Sequence, residues 1–176
     1  MAKKKSKNIR TEEHVQSAIC EYLSKRYPGV YYKSDLSGEN MPGYVAQRKQ
    51  KMTTGRGFPD LSIYATNGLF GLLAIEIKIE TEIIAKLDKS TQSAMWANEH
   101  VKEQAEWIEH LNCCGHQATF CIGADHGIRI IDAFMTNKMD LLLDLCIVTP
   151  YKAYLFQKEN QDSIWHQIQK QRRRAR

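Results

Sequence analysis

The chain has 176 residues, the length of one compact domain with a short appendage, and its 43% hydrophobic and 26% charged residues with 10 Gly and 4 Pro are those of an ordinary globular protein. This composition excludes wholesale disorder, collagen-like repetition and low complexity. The uncharged stretch Gly68 to Ile75 is far shorter than the roughly 20 apolar residues a bilayer requires, and no apolar segment follows the basic start as a secretory signal would need. No membrane association is expected; the chain is expected to stay in the cytoplasm with its five cysteines reduced.

The net charge of +5 is unevenly placed. Residues 1–10 carry Lys3, Lys4, Lys5, Lys7 and Arg10, and residues 170–176 carry Lys170, Arg172, Arg173, Arg174 and Arg176, with no acid in either stretch. Between them 15 basic residues face 20 acidic ones, so an acidic body with a net charge of −5 bears two cationic arms. Such arms suit a polyanion, because each cation set at a phosphate releases condensed counterions.

In chain order, Thr11 to Arg26 repeats apolar residues at Val15, Ala18, Ile19, Tyr22 and Leu23, the spacing of an amphipathic helix with Thr11 as its N-cap and Pro28-Gly29 as its stop. Val30 to Lys33 reads as a short strand. Asp35 to Gly57 is polar, glycine-bearing and too long for an ordinary connection, so a functional or partly disordered loop is expected there, carrying Arg48, Lys49, Lys51 and Arg56. Leu61 to Tyr64 and Leu72 to Ile79 read as strands joined around the hairpin signal Asn67-Gly68. Glu80 to Ala97 is irregular and helix-leaning. Glu99 to Leu111 predicts a helix closed by Gly115, Gln117 to Ile122 a strand, and Asp125 to Met135 a helix. An apolar segment, Leu141 to Val148, a short run, Tyr151 to Phe156, and a polar helix-like end follow. This order predicts an α/β sandwich whose mixed sheet is covered by helices.

The residues that carry chemistry are Gly57-Phe58-Pro59-Asp60 and Ile75-Glu76-Ile77-Lys78, one run on each arm of the hairpin. Strand side chains alternate, so Glu76 and Lys78 project together, away from the core side taken by Ile75 and Ile77. Whether Asp60 joins them is a question of parity. A two-residue Asn67-Gly68 loop gives opposed residues a constant number sum of 135 and sets Asp60 opposite Ile75; an odd loop or a bulge near Gly71 gives 136 and sets it across from Glu76. Only the second arrangement is functional. Two carboxylates one strand apart repel unless a hard divalent cation joins them, and Mg2+ commonly uses one or two carboxylates together with phosphate oxygens. A lysine beside such a cation can orient or help deprotonate a water, so the parts suit phosphodiester hydrolysis.

The ordered set is an N-terminal helix with a glutamate, then G-F-P-D-L, I-E-I-K, Q-A-E-W-I-E-H-L-N-x-x-G-x-x-A and F-C-I-G-A-D-H-G-I-R-I-I. It resembles the VRR-NUC family of the PD-(D/E)XK nuclease superfamily, in the compact stand-alone form of phages and bacteria, from about Thr11 to Met135. The resemblance implies a restriction-endonuclease-like α/β core, with a mixed sheet flanked by helices, over residues 11–136, between a basic arm at 1–10 and an extension at 137–176 that ends in a basic tail. It implies Asp60 and Glu76 as metal ligands with the Ile77 carbonyl between them, Lys78 as the catalytic lysine and Gln104 as an active-site side chain. A glutamate of the first helix would be the outer ligand. At about 100° per residue from Val15, Glu12 falls at about 60° and Glu13 at about 160°, against an apolar face near 20°, which favours Glu12 over Glu13. Between Ile79 and Asn98 the chain is longer than the family pattern, so the cleft wall is expected to differ.

His110, Cys113, Cys114 and His116 crowd together without a spaced cysteine pair and straddle a helix end, a poor zinc pattern. No P-loop, nucleophile elbow or dinucleotide fingerprint is present, so no nucleotide cofactor is expected. The expected activity is a Mg2+-dependent DNA endonuclease, with Mn2+ as a substitute, in a bacterial or phage-infected cell; the resemblance implies 5′-phosphate and 3′-hydroxyl ends. The loop cations and Arg172, Arg173 and Arg174 are its expected DNA contacts. The resemblance favours a homodimer acting on four-way junctions, with Leu141 to Val148 either a dimer contact or part of the core. The rivals are a less selective nuclease of replication, packaging or defence, and a catalytically silent DNA-binding module.

Overall fold

The computed structural model describes residues 11–35 and 57–160. Helix α1 (Glu12–Arg26) starts at Thr11, whose hydroxyl oxygen accepts the His14 N–H at 3.4 Å while the His14 ring accepts the Thr11 N–H at 3.3 Å. Its stripe of Val15, Ile19 and Leu23 is buried. The sheet runs β1-β2-β3-β6, built from β1 (Tyr31–Ser34), β2 (Leu61–Tyr64), β3 (Leu73–Lys78) and β6 (Gln117–Ile122). Strands β1, β2 and β3 are antiparallel neighbours and β6 lies parallel to β3, so the sheet is mixed.

Between β3 and β6 the chain forms a hairpin, β4 (Ala85–Leu87) with β5 (Ala94–Trp96), and then helix α2 (Glu99–Cys113), capped by Asn98. Helices α3 (Ala124–Met135) and α4 (Met139–Leu145) follow β6, and residues 150–160 form a further helix, α5. Leu61, Ile63, Leu73, Ile75 and Ile77 pack on one face of the sheet with residues of α1, α3 and α4. Ala74, Ala118, Phe120 and Ile122 pack on the other with Ile84, Val101, Ile108 and Ala153 from the hairpin region, α2 and α5. Helices α1 and α3 meet where a side chain on Gly127 would stand 2.6 Å from Ile19 Cδ1, and the Tyr22 and Tyr27 hydroxyls both donate to the Asp132 carboxylate.

The structure departs from sequence expectation in one place and decides three points the sequence left open. The helix-leaning stretch after β3 is a hairpin, because Asp88 Oδ1 accepts the Ser90 and Thr91 N–H groups and the Asp88 N–H reaches Ser93 O, closing a local turn that outcompetes helix. Asn67-Gly68 is not a two-residue hairpin loop. Residues 65–72 all lie between β2 and β3, with Asn67 Oδ1 accepting the Leu69 and Phe70 N–H groups and the Gly71 N–H tied to Gly115 O. The Leu141 to Val148 segment serves the core through Leu142, Leu145, Cys146 and Ile147, while Leu141, Leu143 and Val148 are exposed. Tyr151 to Phe156 lies within α5. The long loop expected over Asp35 to Gly57 lies, at 36–56, outside the described residues. Among the described residues no helix is long and apolar enough to cross a membrane.

Candidate active site

The register of β2 against β3 decides the parity question. Leu61 pairs with Ile75, Ser62 with Ala74 and Ile63 with Leu73, a constant sum of 136. One further step sets Asp60 across from Glu76, on the sheet face that also carries Ser62 and Ala74. The odd arrangement that the functional reading required is the one adopted, by means of the 65–72 connection.

Local chemistry fixes Asp60 there. Gly57 has a φ of +88°, and a Cβ on it would stand 3.0 Å from the Gln104 backbone nitrogen, so only glycine lets this segment lie against α2. Phe58 meets Trp107 of α2 edge-on at 5.3 Å, and Pro59 is buried. The Asp60 carbonyl accepts the Asp35 N–H at 2.7 Å and Gln16 Nε2 at 3.1 Å, so the end of β1 and α1 also grip it. Its Oδ2 then accepts the Ile77 N–H at 2.8 Å. Because the N–H and C=O of one strand residue point to the same edge, the Ile77 carbonyl also lies on the Asp60 side.

Glu76 and Lys78 share a face as alternation predicts, but that face is not open: α2 and the hairpin before it cover it, and the two residues are only 1% and 3% exposed. Glu76 Oε1 takes a hydrogen bond from Gln104 Nε2 and lies 3.1 Å from Lys78 Nζ. Glu76 Oε2 is buried without a partner. Burial, and then the charge of Asp60, push the Glu76 carboxyl well above the usual range, and burial raises Asp60 against the opposing pull of the Ile77 N–H and Lys78.

Lys78 Nζ lies 3.0 Å from Glu12 Oε1 and 3.9 Å from Glu82 Oε1. Burial alone would lower its pKa, but Glu76, Glu12 and Glu82 outweigh burial and hold the ammonium above its ordinary value. Glu82 is pushed up to about 7, by burial first and then by Glu12 and Asp60 against Lys78.

Five of the expected residues thus come together: Glu12, Asp60, Glu76, Lys78 and Gln104, with the Ile77 carbonyl beside them. Glu12 and Glu13 are both exposed, and Glu12 is the one that reaches Lys78. The donor set fits a hard cation through two opposed carboxylates, one with an unpartnered buried oxygen, and a backbone carbonyl. Among the described residues no three His, Cys, Asp or Glu side chains gather as a metal site, in keeping with Glu12 reaching Lys78 rather than the two carboxylates.

Among solved structures the chain is similar to a VRR_NUC domain protein, with a TM-score of 0.51 and 24% identity over 73% of this chain and 91% of that one. The fold is that of a VRR_NUC domain. No protein-family model matches the sequence, and no curated protein matches it. Within this VRR_NUC fold the antiparallel pair β2–β3 supplies Asp60, Glu76 and Lys78, α1 supplies Glu12 and α2 supplies Gln104.

Two residues escaped the sequence. Gln16, one turn after Glu12 on α1, donates to Ser34, Asp35 and Asp60, and Glu82 reaches Lys78 from the segment after β3. Their signals were a polar residue on the sheet-facing flank of α1 and an acid four residues beyond the lysine. Lys33 pairs with Ser62 in the VRR_NUC sheet, which puts it on the Glu76 face. Cys113 and Cys114 are exposed free thiols, the latter 3.7 Å from His110 Nε2. Arg48, Lys49, Lys51, Arg56, Arg172, Arg173 and Arg174 lie outside the described residues.

Proposed function

We propose that the protein is a divalent-cation-dependent endonuclease that hydrolyses DNA phosphodiester bonds, selective for branched DNA and in particular four-way junctions, and acting as a homodimer. The observation that carries this reading is the meeting of Asp60, Glu76 and Lys78 on one face of β2–β3, with Glu76 Oε2 buried and lacking a partner. The VRR_NUC fold supports it. Asp60, Glu76 and the Ile77 carbonyl would hold Mg2+, or Mn2+ in its place, with Glu12 as the outer ligand once it is released from Lys78. Bound there, the cation would relieve the repulsion of the carboxylates and stabilise the charge that grows on the attacked phosphate.

The side chains do the rest. Gln104 holds the Glu76 carboxylate in one orientation through Oε1. The Ile77 N–H fixes Asp60 Oδ2, so both acids are set before substrate arrives. Lys78 is held as an ammonium by its carboxylate neighbours, so Nζ acts as a donor that orients the attacking water and steadies a phosphate oxygen. Cleavage of the P–O3′ bond leaves a 5′-phosphate and a 3′-hydroxyl.

Incubation of the full chain with labelled four-way junction, flap, linear duplex and single strand, with Mg2+ or with chelator, tests the reading. Cation-dependent cutting of the junction alone is expected. Cutting of every substrate would replace the junction by a broader nuclease role, and binding without cutting would leave a silent DNA-binding module.

A further inference from the structure

Lys78 already occupies the centre of its carboxylates. Its ammonium touches Glu12 Oε1 at 3.0 Å and Glu76 Oε1 at 3.1 Å, with the side chain nearly closed off from solvent. A divalent cation drawn to Glu76 and Glu12 would meet that ammonium at close range, and two cations sharing those oxygens would repel, most strongly at the buried Glu76 end. A further acceptor is Glu82, whose Oε1 stands 3.9 Å from Nζ and approaches from the segment after β3. The unpartnered Glu76 Oε2, buried beside Asp60, marks where the cation would gain most. Three carboxylates therefore surround one ammonium, Glu12 from α1, Glu76 from β3 and Glu82, with Asp60 across the strand pair from Glu76.

We propose that Lys78 is the internal competitor of the divalent cation for Glu12 and Glu76, and that Glu82 is the positioning residue that receives the ammonium when the cation enters. This rests on the cation-dependent reading above and adds to it an exchange: Lys78 leaves Glu12, keeps its charge, and is held against Glu82 within reach of the phosphate. The segment after β3 acquires a role through Glu82. Without that carboxylate the displaced ammonium would have no anion to accept it, and cation binding would have to overcome the full repulsion.

The test measures Ca2+ and Mg2+ binding to the full chain by titration calorimetry without DNA, so that the readout is independent of cleavage. Lys78→Met is expected to bind Ca2+ at least tenfold more tightly than the native protein. Glu82→Gln is expected to weaken binding threefold or more in the native background and to leave it unchanged in the Lys78→Met background, because the ammonium it serves is gone. Unchanged or weaker binding by Lys78→Met overturns the proposal and leaves the nuclease reading standing. Equal weakening by Glu82→Gln in both backgrounds also overturns it, since Glu82 would then be a direct ligand. Absence of binding in every protein overturns both the proposal and the cation-dependent reading. Should Lys78→Met fail to fold, Lys78→Gln removes the same charge and makes the same test: at least tenfold tighter Ca2+ binding is expected, and unchanged or weaker binding overturns the proposal.

Discussion

Lys78 is a buried cation whose charge is set by its neighbours: three carboxylate oxygens lie within 4.0 Å of its nitrogen, and their attraction overrides the cost of burial. Its removal should therefore affect the chemistry far more than the grip on DNA. Lys78→Ala is expected to lower the cleavage rate at least about 100-fold, the scale of one lost charge-stabilising donor, with the dissociation constant for DNA nearly unchanged. A gel-shift titration beside a single-turnover assay checks this, and cutting at the native rate would dismiss the assigned role. Much of this residue set was legible. The wheel of α1 separated Glu12 from Glu13, and strand alternation joined Glu76 to Lys78. Asp60 was not decided, because its face depends on the register across residues 65–72, which no local pattern encodes. Gln16 and Glu82 were missed because both act by tertiary approach, Gln16 to the Asp35 and Asp60 carbonyls and Glu82 to Lys78.

Elements with a strong period read correctly, and those held together by side-chain detail did not. Strands β2 and β6 appear at the predicted bounds and α1 one residue inside them, whereas the β4–β5 hairpin was hidden in polar sequence whose turn depends on Asp88. The junction of β6, α3 and α4 shows the same dependence. His126 Nδ1 accepts the Ile122 N–H at 3.1 Å, its Nε2 donates to Leu145 O at 3.0 Å, and its ring stacks on Phe156 of α5 at 4.5 Å. Burial, only partly offset by the Leu145 carbonyl, lowers its pKa to about 4. A histidine depressed on folding adds stability above its unfolded pKa near 6.5 and loses it as the pH falls through the folded value. From pH 7 to 4 this group should therefore withdraw about 3 kcal/mol. Urea unfolding of native protein and His126→Gln over that range should show the two stabilities converging on acidification; a constant gap would contradict a buried neutral imidazole.

At the scale of the whole molecule, charge is separated along the chain: both basic arms lie beyond an acidic body, and the arm at 170–176 supplies five cations without an acid. Deleting residues 170–176 should flatten the dependence of DNA affinity on salt, by as much as about 4.5 in the log–log slope if each of the five cations meets a duplex phosphate. Filter binding across a salt series reads this directly, and an unchanged slope would free the tail from any part in binding. The layered sandwich was legible in the alternation of helical and strand periods, and its two-sided core follows from strands apolar on both faces. The covering of the Glu76 face by α2 and a hairpin was not, because the pattern before α2 named no partner for it. One consequence follows from the pairing of β2 with β3. Leu61 and Ile63 fill the helical side only in the frame that also aims Asp60 at Glu76, so the apolar residues proofread the carboxylates. Damage to that half of the core would be felt as failing chemistry before it is felt as failing structure.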